Sequence, residues 1–466
     1  MNVKVMVTTL IFLLFYTTVT EAKVVKVRLS EVTKQNSKYF ILNNKLRVYL
    51  ISDPDSDISS ASVSMILGQG DTPDELPGLP HVLEHTLFLG TKHYPQMTDW
   101  SDFFKPKGWS NGSTRSDISR YHFQIGSSHF QEGLKRLHDL LFNPLLREKG
   151  FRQALEEVEN EYQNKNNEWR KLLSVMRENV NPEHPLAVFG TGNNDSLGQY
   201  TNVMHKELMA LYHRYYHPEN MALVVYHSAS LKEIEEHVRL VFAETPTQYT
   251  YERRPAPALL LKEQTENIIK VSTDSAKFSL DLRFEIPART TNVDAILPEY
   301  LSEYLRESIK NNSNYEVLVT HASLAFQGDM YTGLADIYLE LTPKGNEQPE
   351  LVINLINNIL KEFRHDIKHS EIQNKLCLGL KAHQKGRVQE IGDWLSDISD
   401  QMIRRKSITY SDIEYCPAGI PAKSIEKFIR YLTRENMQVF HVTDKEFNAN
   451  GVSKFYNVPF SSQKLK

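Results

Sequence analysis

Residues 245–258 divide this 466-residue chain into two halves that follow one coarse plan, and this repetition constrains the fold more than any other feature. The dividing segment is polar and carries Pro246, Pro255 and Pro257 beside Arg253-Arg254, a linker's composition. Before it, alternation at 39–42 and 46–51 around Asn43-Asn44 predicts a hairpin. Strands are predicted at 61–67, 119–125 and 221–226. Leu134, Leu137 and Leu141 mark an amphipathic helix, with further helices at 154–175, 204–216 and 231–242. After the linker come strands at 268–273, 278–286, 317–326 and 330–341, helices from 349 to 364 and beyond, and a final strand at 437–442. Two halves of similar size and order predict duplicated α+β domains, at 23–244 and 259–466.

Composition excludes several classes. The chain is 40% hydrophobic and 24% charged, ordinary for a globular protein, and its net charge is −4 with mixed signs. It has no basic stripe and no nucleic-acid-binding signature. Residues 1–22 stand apart: Lys4 precedes an apolar run at 5–19, and the segment ends in Ala22, the pattern of a secretory signal peptide. The run is short for a membrane span and no second one follows, so a secreted chain starting near Lys23 is expected. Cys377 and Cys416 form no disulfide framework, although secretion would let them pair. Sequons stand at Asn111, Asn194 and Asn311.

Within the first half, His81-Val82-Leu83-Glu84-His85 reads H-x-x-E-H. On a helix, residues i and i+4 lie one above the other, so two imidazoles can grip one metal ion. A carboxylate between them is placed to act as a base, and the set is what zinc-assisted amide hydrolysis requires. Bare histidine pairs are cheap: His213/His217 and His365/His369 share the spacing. The predicted helix at 154–175 carries Glu156, Glu157, Glu159 and Glu161. Most glutamates on such a helix face water, and one of them is the candidate third ligand.

The stretch 78–95 around this motif closely resembles the pitrilysin/insulysin peptidases. Asn111-Gly112-Ser113-Thr114, His184-Pro185, Phe189-Gly190-Thr191-Gly192-Asn193 and, near the C-terminus, Lys454-Phe455-Tyr456 resemble further family landmarks. The resemblance implies two related domains, each a mostly antiparallel sheet packed with helices, the first carrying zinc. It implies His81, His85 and Glu161 as Zn2+ ligands and Glu84 as the base that activates water. It also implies peptide substrates bound as an added strand along an edge lined by Asn111, Gly112 and Thr114.

The sequence departs from the family at several places. Ala154 stands where a second glutamate usually lies, seven residues before the third ligand. Leu318-Val319-Thr320-His321 replaces a glycine-rich exosite. Insulysins continue through a second half, whereas this sequence ends at 466. The resemblance therefore implies a secreted zinc metalloendopeptidase, with a homodimer or partner chain in place of the other half. The alternative is a catalytically weak or inactive half-length homologue that binds peptides or pairs with a partner.

Overall fold

The structure, a computed structural model, describes residues 26–28, 36–164, 167–247, 256–272, 277–288, 292–310, 313–328, 332–385, 388–405 and 419–465. The expected signal peptide, Arg253-Arg254 of the linker, Asn311 and Cys416 lie outside these. Cys377 is disulfide-bonded.

Two sheets organise the molecule. The first contains β2 (Ser37–Ile41), β3 (Arg47–Ser52), β4 (Ile58–Met65), β5 (Gly108–Thr114), β6 (Ser119–Gly126) and β7 (Met221–His227), in the order β2-β3-β7-β4-β6-β5. The second contains β8 (Asn267–Val271), β9 (Phe278–Ile286), β10 (Val319–Gly328), β11 (Gly333–Leu341), β13 (Met437–Val442), β14 (Gly451–Val452) and β15 (Pro459–Lys464), in the order β10-β11-β9-β13-β8-β15-β14. Each sheet is antiparallel except for one parallel pair, β3 with β7 and β8 with β13. Short β1 (Lys26–Arg28) pairs with β12 (Val388–Glu390). The fold is α+β, with two related domains that are each a mostly antiparallel sheet packed with helices, as expected.

Apolar faces decide what covers each sheet. Along β4, Ala61, Val63 and Met65 face one side and Ser60, Ser62 and Ser64 the other, the two-residue period of a strand. The apolar side packs against α1 (Leu79–Leu87), α2 (Phe130–Phe142), α3 (Glu148–Asn164), and, beyond α4 (Glu168–Glu178), α5 (Asn202–Tyr215) and α6 (Leu231–Phe242). In the second domain α7 (Asn292–Lys310), α8 (Pro349–Asp366), α9 (Ser370–Lys385) and, beyond α10 (Ile391–Arg405), α11 (Ala422–Ile429) build the equivalent core.

The two remaining helices are exchanged. α4, from the first half, packs Leu172, Val175 and Met176 on Ile269, Val271, Phe440 and Val442 of the second sheet. α10, from the second half, packs Trp394, Leu395, Ile398 and Met402 on Tyr49, Ile51, Val224 and Tyr226 of the first. The serine face of β4 is sealed by the same helix: Ser64 Oγ lies 2.7 Å from Ser399 Oγ and donates to Asp400 at 2.6 Å, while Ser62 Oγ sits 3.1 Å from Ser396 Oγ. Each sheet is thus covered on its second face by the other half's chain.

Two elements differ from the sequence reading. The helix expected at 154–175 starts earlier, at Glu148, and ends at Asn164. α4 then starts after Asn167, whose side chain accepts the N–H of Arg170 at 3.0 Å. Asparagine side chains compete with the helical backbone and favour such caps, which suits Asn167 to the start of α4. Met437–Val442 is also not the last strand: β15 follows and pairs with β8. Its polar sequence and leading Pro459 conceal it.

Candidate metal centre

α1 begins at Gly78, in the left-handed region at φ 104°, and carries Pro80 in its first turn, where a missing N–H costs nothing. All of its residues are buried except His85, which is partly exposed. A Cβ on Gly78 would sit 2.4 Å from Gly192 Cα, so glycine at this place lets the 189–193 loop lie against the start of α1. That contact delivers the carbonyl of Thr191 to His81.

His81 and His85 stack as consecutive turns, with ring centroids 4.9 Å apart. Their Nε2 atoms lie 3.3 Å apart. Glu161 Oε2, from α3, lies 3.7 Å from the first and 3.6 Å from the second. Among the described residues these three form the only group of its kind, with candidate donor atoms all within 4.8 Å of one another. A tetrahedral zinc with bonds of roughly 2.0–2.2 Å holds its donors about 3.4 Å apart, so the triangle fits that ion.

The opposite ring nitrogens fix the tautomers. His81 Nδ1 lies 2.6 Å from the Thr191 carbonyl, and His85 Nδ1 lies 3.1 Å from Glu157 Oε2. Both partners only accept, so each Nδ1 donates to its partner and each Nε2 faces the common point, where a bound metal would take its lone pair. Burial alone would lower the His85 pKa. The carboxylates of Glu157, Glu161 and Glu84 outweigh it and lift the imidazole to about 9. The His85 hydrogen bond in turn holds the Glu157 carboxyl below its ordinary range. Glu161 is steadied by Arg170, 3.6 Å from its Oε1, and Arg170 also donates to Thr191 Oγ1 at 3.1 Å.

Glu84 is buried, and Thr114 Oγ1 on β5 donates to its Oε2 at 2.6 Å. Gly112 shares that face of β5; a Cβ there would sit 2.7 Å from Glu84 Oε1, so only glycine leaves the carboxylate its present room. Asn111 projects from the exposed strand and its Oδ1 accepts the Gly112 N–H at 3.0 Å. β5 is the outer strand of its sheet, so one side of its backbone is open.

The structure therefore brings His81, His85 and Glu161 to one point and sets Glu84, Gly112 and Thr114 around it. Asn111 stands one residue aside. Of Glu156, Glu157, Glu159 and Glu161, only Glu156 is exposed, while Glu159 accepts the N–H of Asn194 at 2.7 Å. The other histidine pairs make no such site: His217 Nε2 bonds the His213 carbonyl at 2.7 Å, and His365 packs edge-on to His369. Sequence reasoning missed Glu157, Arg170 and the Thr191 carbonyl. Glu157 was detectable, because four residues before Glu161 is the same helix face. Ala154, where an acid was expected, is fully buried in the first core.

The family model described as Insulinase (Peptidase family M16) matches residues 47–187, and that described as Peptidase M16 inactive domain matches 202–375. Insulin-degrading enzyme-like 2 of Arabidopsis thaliana is 24% identical over 455 residues, covering 93% of this chain and 46% of the relative. Insulin-degrading enzyme of Mus musculus is 34% identical over 210 residues, 44% of this chain and 20% of that protein. The crystal structure of pitrilysin superposes with a TM-score of 0.80 at 21% identity, covering 96% of this chain and 49% of pitrilysin. The chain belongs to the pitrilysin/insulysin family of peptidases. It spans about half the length of the curated relatives it matches.

Proposed function

We propose that this chain is a secreted, insulysin-like zinc metalloendopeptidase that hydrolyses peptides. One observation carries the reading: two imidazole Nε2 atoms and one carboxylate oxygen, 3.3–3.7 Å apart, meet beside a buried glutamate on the open flank of an edge strand. Zinc held by His81, His85 and Glu161 would supply Lewis acidity toward the scissile carbonyl. Glu84 would take the proton of the attacking water at Oε1, the oxygen that Thr114 leaves free, and return it to the leaving amine. The outer side of β5 at Asn111, Gly112 and Thr114 would bind substrate as an added strand, holding backbone in preference to particular side chains. Secretion is supported by the apolar leader at 1–22. Among the described residues no helix is long and apolar enough to cross a membrane.

The test measures bound zinc in the purified chain and cleavage of a quenched fluorescent peptide, beside Glu84→Gln. About one zinc per chain is expected, with cleavage that the substitution removes while the metal stays. A second reading, a weak or inactive homologue that captures peptides or pairs with a partner chain or a second copy, is favoured by Ala154, buried and apolar where the resemblance implies a second acid. Bound zinc and peptide without turnover, in the monomer and in any assembly of native size, would favour that reading over the first.

A further inference from the structure

Resting on the metal-site reading above, we infer that Glu157 is a positioning residue that fixes His85 for the metal, doing from α3 the work that an acid at Ala154 cannot do here. Ala154 is fully buried among apolar side chains and has no carboxylate to offer. Glu157 lies one helical turn before Glu161, so one face of α3 sends one acid to the common point and the next to the back of a ring. Its Oε2 lies 3.1 Å from His85 Nδ1, while its Oε1 accepts from Gln153 Nε2 at 2.8 Å. Both oxygens are therefore oriented, and the imidazole can present only Nε2 toward Glu161. His81 needs no such acid, because the Thr191 carbonyl holds its Nδ1 at 2.6 Å. The two histidines are thus oriented by different means: backbone for the deeper ring, a side-chain carboxylate for the more exposed one. A carboxylate behind an imidazole also strengthens its free nitrogen as a donor, and losing such partners costs roughly 10–100-fold in metal affinity.

The experiment titrates zinc against a chelator into the full chain and records visible spectra after cobalt substitution, for wild type, Glu157→Ala, Glu157→Gln, Glu156→Gln and His85→Ala. Glu157→Ala is expected to bind zinc about 10–100-fold more weakly and to shift the cobalt bands, since the donor strength of His85 falls. Glu157→Gln should lie between, because its amide oxygen still accepts the Nδ1 proton. Glu156→Gln, exposed on the same helix, should match wild type in both readouts. Melting of the metal-free proteins separates metal affinity from folding. The inference is overturned if Glu157→Ala binds zinc within about twofold of wild type with unshifted cobalt bands while His85→Ala loses the metal. If His85→Ala binds as wild type does, the metal-site reading itself fails.

Discussion

The two domains share a plan and differ in one helix. β3-β7-β4-β6-β5 and β8-β13-β9-β11-β10 are the same arrangement, with the same chain order and the same parallel pair. In each, a helix follows the second strand of the set: α1 after β4, α7 after β9. α1 spends inward positions on Leu79, Val82, Leu83 and Leu87 but also on His81 and Glu84. α7 spends its own on Ile296, Leu297, Tyr300, Leu301 and Leu305, and its buried Glu303 pairs with Arg306. One architecture thus carries a metal-site geometry on one side and only a core on the other. The proposed chemistry lies in four side chains, and the fold merely offers the seat.

The comparison breaks most sharply at the carboxylates. Glu84→Gln is expected to cut turnover about 10²–10⁴-fold with zinc retained, whereas Glu303→Gln leaves turnover per folded molecule unchanged. Peptide cleavage with metal analysis reads both, and equal losses would mean that α1 is not the chemical helix. Next in size come the exchanged helices. Trp394→Ala removes a buried indole from the first domain's seam, at a cost of roughly 3–5 kcal/mol. Arg283→Met strands Asp336, which Arg283 now grips at 2.8 and 3.2 Å beneath Met176 of α4, at a similar cost of about 3–5 kcal/mol. Urea unfolding followed by hydrogen exchange should show protection falling in both domains for either variant; loss confined to one would deny the coupling.

Smaller still is Thr114→Val, which removes the hydrogen bond to Glu84 and should lower kcat/KM about 10–100-fold, on roughly 1.5–3 kcal/mol for a bond to a charged group. An unchanged pH–rate profile and rate would show that the threonine does not orient the base.

The subtlest test sets the domains against each other in acid. Burial, helped by Arg120, lowers His122 in the first domain to about 4. The unfolded chain then binds the extra proton, and this contribution is lost as pH falls from about 6.5 through 4. Burial and the neighbouring Asp336 raise Asp281 in the second domain to about 7. Here the folded chain binds the extra proton, so stability rises as pH falls from about 7 toward 4. The two slopes oppose each other in wild type. Asp281→Asn should steepen the acid loss and His122→Phe should flatten it, as read by melting temperature against pH; parallel curves for all three proteins would contradict both assignments.

Much of this was legible in the residues. Phe278–Ile286, Met437–Val442 and Leu231–Phe242 were bounded by pattern alone, because each alternates or cycles cleanly between turn signals. The spacing of His81, Glu84 and His85 placed three groups on one helix without any tertiary knowledge. Glu161 needed the family resemblance, since nothing local separates it from Glu156 or Glu159. What stayed hidden depends on distant chain. Nothing near Ser60, Ser62 and Ser64 in the sequence says what covers them, and α10, more than three hundred residues on, makes them interior. The same holds for α4, whose apolar stripe does not say which sheet it meets.

The serine face of β4 has a consequence for biosynthesis. A ribosome adding about 5–20 residues per second exposes the first sheet for on the order of ten seconds before Trp394 emerges to cover it. The hydroxyls of β4 tolerate that wait in water, but Tyr49, Ile51, Val224 and Tyr226 on the neighbouring strands stay open until α10 arrives, an apolar stripe on the half-made chain that invites aggregation.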